Sequence, residues 1–183
     1  MKYIHFITNP ISGDGKHNLS RTVLEKYFSE KEYKIAVDYS NHKHHAIMLT
    51  NNAVAKCPDY IVACGGDGTI NEVASCLVNT QIKLGIIPIG SGNGLASNLS
   101  IPKSLEKATE IIRKGKTQFI DVGKVNDHYF FSNVGVGIDA LIIKKYESYS
   151  KRTLMSYVRA SIASSIQFKP MQTGYANLAI TES

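Results

Sequence analysis

With 183 residues, 43% hydrophobic and 20% charged, the chain has length for one ordinary domain, or one and part of a second, and apolar material for a core. Its net charge of +6 suits anionic partners (phosphates, nucleic acid or an acidic membrane surface) without selecting among them. Three cysteines without a CxxC pair, no apolar stretch near the roughly 20 residues of a spanning helix, and an N-terminus lacking a signal-peptide core argue against a disulfide framework, a zinc cluster, a membrane span and secretion. A cytoplasmic location is expected.

In chain order, "KYIHFIT" (residues 2–8) is a β-rich run that stops at Asn9-Pro10, a turn signal. After Gly13 and Gly15, the stretch "HNLSRTVLEKYFSE" carries Leu19, Val23 and Tyr27 at helical spacing, with Leu24 and Phe28 widening the stripe. "YKIAVDY" predicts a second strand and "HHAIMLTNNAVA" a second helix. "DYIVAC" predicts a third strand, and residues 69–78 a helix with Ile70, Val73, Ala74 and Leu77 on one face. "KLGIIPI" then reads as a fourth strand before "GSGNG", and Leu105, Ala108, Ile111 and Ile112 mark a helix ending near Gly115. Strands separated by helices predict an α/β fold, a parallel sheet with helices on both faces.

After residue 115 the pattern changes. "TQFIDVGKV" and "YFFSNVGVG" flank Asn126-Asp127 as a hairpin. A basic amphipathic segment follows, with Leu154, Tyr157, Val158, Ser161, Ile162 and Ser165 at helical spacing up to Pro170, and "GYANLAIT" reads as another strand. The expected division is residues 1–115, an α/β nucleotide-binding domain, and residues 116–183, the opening of a second, β-containing domain too small to hold a core of its own.

Three Gly-rich loops follow strands, on the rim where open α/β sheets bind ligands. In "NPISGDGK" (residues 9–16) glycines let backbone N–H groups approach an anion, although a flexible turn explains the same residues; no Walker A spacing occurs. "GGDGT" (residues 65–69) places a carboxylate among glycines. Asp67 would repel a phosphate directly, so its roles narrow to holding Mg²⁺ or accepting a hydroxyl proton, or to capping the helix that follows. Glu72, in that helix's first turn, can complement the helix dipole. In "GSGNGLA" (residues 90–96), Ser91 and Asn93 are short polar groups suited to phosphate or ribose, or to capping the next helix.

"NPISGDG", "GGDGT" and "GSGNGLA", in this order and at these separations, resemble the catalytic domain of the diacylglycerol kinase and sphingosine kinase lipid kinases, related in fold to NAD kinases. "FFSNVGVGIDA" (residues 130–140) is similar to the family's entry into its second domain, and "SNHKHHA" (residues 40–46) to the segment whose hydroxyl residue contacts nucleotide. The resemblance implies an ATP-dependent lipid kinase with nucleotide between the α/β domain and a β-sandwich, of which residues 116–183 would be the N-terminal part. It implies ATP contacts from Asn9, Pro10, Ser12, Gly13, Ser40, Gly65, Gly66, Asp67, Gly68, Thr69, Asn71, Glu72, Ser91 and Asn93. Asp67 matches the acid with a catalytic or Mg²⁺-organising role, and Asp139 an acid that some sphingosine-type members use to recognise the substrate head group. The partners implied are a lipid substrate at a membrane surface, with the enzyme peripheral to it and no nucleic acid; a homodimer is a further expectation. "GSGN" is closer to the sphingosine and ceramide type, so the lipid stays open between diacylglycerol and a sphingoid base. The family's downstream acids, a proton acceptor among them, have no counterpart in these residues.

Two other features have plainer readings. His42, His44 and His45 lack further ligands for a metal site and read as a solvated helix start. The basic, tyrosine-containing stretch 144–159 suits an anionic membrane, or is an amphipathic helix with a solvated face. The alternatives to a lipid kinase are an NAD kinase-like enzyme, which shares the GGDG loop, and a nucleotide- or lipid-binding module without catalysis.

Overall fold

Strand β1 (Lys2–Thr8) has β2 (Tyr33–Tyr39) on one side and β3 (Tyr60–Gly65) on the other, and β4 (Lys83–Pro88) continues from β3. The order β2-β1-β3-β4 is parallel throughout, with Phe6 opposite both Val37 and Val62. The computed structural model describes residues 1–13, 15, 17, 19–132, 138–147, 149 and 154–167.

Covered on both sides, β3 is buried along its whole length and β1 from Ile4 onward, with His5 and Thr8 among its apolar residues, rather than alternating between faces. Ile4 and Phe6, with Tyr60, Val62, Cys64 and Ile87, pack against Leu24 of α1 (Arg21–Glu25), Phe28 beyond it, and Ala108 and Ile112 of α5 (Leu105–Lys114). On the opposite face Ile7, Ile61, Ala63 and Ile86 meet α2 (His45–Val54), α3 (Asp67–Leu77) and α4 (Gly94–Asn98). This division follows from handedness: β1 to β2 runs one way across the sheet, β2 to β3 and β3 to β4 the other, and right-handed crossovers put their helices on opposite faces.

The expected long first helix is shorter. Ser20 caps it by accepting from the Val23 N–H, and only residues 21–25 are helical, with Leu19, Leu24 and Phe28 buried. Gly115, left-handed at φ 67°, closes α5 through bonds from its N–H to the Ile111 and Ile112 carbonyls.

The hairpin forms as β5 (Gly123–Val125) and β6 (His128–Phe130), antiparallel and joined through Asn126 at φ 53°. Ile120 and Phe131 pack on the α2–α3 core, and Asn98 Nδ2 donates to Ser132 Oγ at 3.3 Å. The first compact unit therefore spans Met1–Asn133, and the second Val134–Ser183. The described part of the second is α6 (Ile138–Glu147) packed on α7 (Leu154–Gln167), with Lys145 Nζ donating to the Ala163 carbonyl at 3.5 Å. The stretch 144–159, expected as one amphipathic segment, is divided between the end of α6 and the start of α7, with Tyr149 in a bend between them, and the strand expected in "GYANLAIT" lies outside the described residues. Among the described residues no helix is long and apolar enough to cross a membrane.

Candidate active site

The chain leaves β1 toward β2 and leaves β3 toward β4, so the order reverses between β1 and β3. A crevice opens outside the carboxyl ends of strands at such a point. The loops after Thr8, Gly65 and Pro88 meet there. The Asn9 N–H donates to the Cys64 carbonyl (2.9 Å), its Oδ1 accepts from the Ile11 N–H (3.2 Å) and its Nδ2 donates to Thr69 Oγ1 (3.2 Å). Ser12 Oγ accepts from the Gly66 N–H at 3.3 Å. Gly13 sits at φ 67°, so close to the third loop that a Cβ would lie 2.5 Å from the Ile89 carbonyl oxygen. Gly90 presses on the second loop in the same way, a Cβ there falling 2.3 Å from Gly66 Cα. The three loops form one hydrogen-bonded surface.

Asp67 is the first residue of α3, with Gly66 the extended N-cap. Helix α3 thus starts two residues earlier than the periodicity suggests, and Asp67 lies inside it instead of capping it. Its exposed carboxylate stands in the first turn, where negative charge is favourable, and Oδ2 accepts from the Asn93 N–H at 2.8 Å. Gly68 beside it is exposed, and a Cβ there would meet nothing within 4 Å. Thr69 is buried, and Asn71 half-buried. In the third loop Ser91 is exposed, whereas Asn93 is only 1% exposed and left-handed. Asn93 Nδ2 donates to the Gly90 carbonyl (2.6 Å) and its Oδ1 accepts from the Gly90 N–H (2.9 Å).

The loop after β2 borders the same rim. The buried Ser40 donates its N–H to the Thr8 carbonyl at 2.8 Å. Glu72 does more than complement the dipole: its Oε1 accepts from the His44 N–H at 3.1 Å and lies 3.5 Å from His44 Nδ1. The His42 and His45 rings stack at 4.6 Å, with His42 ahead of α2 rather than on it. Among the described residues no group of three or more His, Cys, Asp or Glu could hold a metal. Burial pushes the Cys64 thiol up to about 12, and burial with the Glu72 charge raises Cys76, so neither is a nucleophile near neutral pH.

The structure therefore gathers Asn9, Ser12, Gly13, Gly65, Gly66, Asp67, Gly68, Thr69, Ser91 and Asn93 on one rim, with the exposed Pro10 following Asn9. Asp14 and Lys16 of the first loop lie outside the described residues, as does the side chain of Asp139, the second residue of α6. One residue that the sequence did not single out joins the rim: His17 Nε2 donates to the Asn9 carbonyl at 3.1 Å. No spacing signal marks it.

The sequence profile of the diacylglycerol kinase catalytic domain matches residues 3–125, which hold all three loops. The chain belongs to the diacylglycerol kinase catalytic domain family. Within that family it is 36% identical over 142 residues to a diacylglycerol kinase of Bacillus subtilis, a match covering 75% of this chain and 46% of that protein. It is 31% identical over 170 residues to an uncharacterized protein of Synechocystis, covering 86% of this chain and 39% of that one. A solved diacylglycerol kinase structure from Bacillus anthracis superposes with a TM-score of 0.56 at 26% identity, over 70% of this chain and 45% of that one. The diacylglycerol kinase fold is thus present, and the chain spans less than half the length of these relatives.

Proposed function

We propose that the full-length protein is an ATP-dependent lipid kinase that transfers the γ-phosphoryl of ATP to a lipid hydroxyl, diacylglycerol or a sphingoid base. The observation that carries this reading is the meeting of three Gly-rich loops at the switch point, around an exposed carboxylate whose Oδ2 accepts from the Asn93 N–H and whose Oδ1 has no hydrogen bond among the described residues. Backbone N–H groups of the loops and of the first turn of α3 suit phosphate oxygens, the helix dipole adding to the attraction. The open space beside Gly68 leaves room for the ligand. Ser12, Ser91 and Asn9 would be the polar side chains that orient it.

A divalent cation fits this chemistry. Mg²⁺ is commonly held by one or two carboxylates, with phosphate oxygens and waters completing its shell, so the single exposed Asp67 satisfies the protein's share. When bound, Mg²⁺ would supply neutralisation of phosphate charge. The chain's own contribution is to fix the phosphates with backbone donors, to exclude wrong geometries, and to hold the Asp67 oxygen near the reacting hydroxyl. On α6 and α7, Leu141, Ile143, Val158 and Ile162 are exposed beside exposed Lys144 and Arg159. Apolar residues mixed with cations suit a peripheral approach to an acidic membrane from the cytoplasm.

The test is a lipid panel with labelled ATP, run on the full-length protein with Asp67→Asn beside it. Lipid phosphorylation falling at least about 100-fold in the variant is expected, the scale of a lost acid–base or charge-holding group. Transfer to NAD but to no lipid would favour the NAD kinase-like alternative. ATP binding without any transfer would favour a binding module.

A further inference from the structure

Asn93 is unlike its neighbours in the third loop. Ser91 and Gly92 are exposed, whereas Asn93 has 1% of its surface accessible and both ends of its amide are bonded to the backbone of Gly90. An amide so enclosed has no surface to offer a nucleotide. Its backbone is left-handed, at φ 64° and ψ 47°, a conformation that asparagine tolerates better than most residues with a Cβ. In that conformation the Asn93 N–H points back to Asp67 and donates to Oδ2 at 2.8 Å. A carboxylate accepting from a backbone N–H is a charge-assisted pair, stronger and more directional than a neutral one. Gly92 sets the same distance from the other side, because a Cβ there would lie 2.8 Å from Asp67 Oδ2.

We propose that Asn93 is a positioning residue for Asp67: its buried amide locks the turn from Gly90, and the locked turn presents the N–H that holds Oδ2 and leaves Oδ1 for the reaction. This rests on the lipid kinase reading for what Oδ1 does, though not for the clasp itself. The clasp also gives the third loop a reason to be glycine-rich that has nothing to do with phosphate. Gly92 must lack a side chain so that the carboxylate can come within reach of the turn.

Two substitutions in the full-length protein press on the carboxylate by different routes. Asn93→Gly keeps the positive φ and the N–H but deletes the amide clasp. Gly92→Ala keeps the clasp but puts a methyl group against Oδ2, at a residue without positive φ. Each is expected to lower kcat by about 10- to 100-fold, as a misplacement of about 1 Å does, with the KM and Kd for ATP changed less than about twofold. Weakened ATP binding with unchanged kcat in Asn93→Gly would overturn the proposal and make Asn93 a nucleotide contact. Unchanged kcat in both folded variants would overturn it too. A third arm needs no catalysis: in isotope-labelled protein the Asn93 amide resonance is expected to shift and exchange faster in Asp67→Ala, and to hold in Asp67→Asn, which keeps an acceptor. An amide indifferent to Asp67→Ala removes the clasp, whereas wild-type protein that phosphorylates no lipid, with the amide responding as expected, defeats only the function reading.

Discussion

On one face of the sheet Phe6, Phe28, Tyr60 and Ile87 fill the space beneath α1 and α5, with Phe6 and Phe28 edge-on at 5.5 Å and Phe28 and Tyr33 at 5.3 Å. On the other face Ala46, Ala53, Ala63 and Ala96 stand among Ile7, Ile61, Ile70 and Val73 between the strands and α2, α3 and α4. Large aromatic side chains bury much apolar area each, so the first face contributes heavily to stability. Alanine contributes little area but lets a helix approach the sheet closely. The second face therefore sets how closely α2, α3 and α4 lie on the strands, and Asp67 stands at the start of α3.

The comparison predicts that damage to the two faces shows up differently. Phe28→Ala, a buried aromatic truncated far from the three loops, is expected to cost about 3–5 kcal/mol in denaturant unfolding. Turnover per folded molecule should stay unchanged. Ala63→Leu adds bulk to the fully buried centre of β3 and is expected to cost less, about 1–3 kcal/mol. It should nevertheless depress turnover of the folded protein more than Phe28→Ala does, by pushing α3 away from the strands. Equal turnover in the two variants would break the idea that the alanine face acts as a spacer.

The smallest effect concerns the thiols. Cys57 is exposed, Cys76 on α3 is partly buried, and Cys64 is enclosed on the aromatic face. Labelling with a thiol reagent at pH 8 is expected in that order, with Cys64 reacting only on unfolding. Because burial raises the Cys64 pKa from 9.0 to about 12, its contribution to stability is complete below pH 9 and is lost as pH rises toward 12. A denaturation series across that window tests the sign; stability rising with pH there would contradict it.

Much of this was legible from local pattern. β1 announces itself as a β-rich run stopped by Asn9-Pro10, β3 and β4 as apolar runs ending in Gly65 and Pro88, and α5 by its periodic face closed by Gly115. The hairpin follows from Asn126-Asp127, although only residues 123–125 and 128–130 pair. Helix α1 is shorter than its periodicity because the Ser20 cap and the turns after Glu25, not the apolar stripe, decide its ends. Helix α6 was hidden because Leu141, Ile142 and Ile143 are consecutive, giving no helical period, and it gains its apolar cover only from packing on α7, the next helix in the chain. For the site, the glycines and Asp67 were legible as composition. The bond from the Asn93 N–H to Asp67, and the one from His44 to Glu72, each join residues more than twenty positions apart and carry no local signature.

One edge of the sheet has a consequence for solution behaviour. Among the described residues strand β2 has a neighbour on one side only, and an open strand is a template for pairing with another chain. Lys34 and Asp38 lie on the same face of that strand, Lys34 with its Nζ 4.8 Å above the Tyr3 ring and Asp38 bonded to the buried His5 at 2.8 Å. A second chain adding to β2 would have to settle against both charges and their partners. Extension of the sheet across this edge is thereby discouraged.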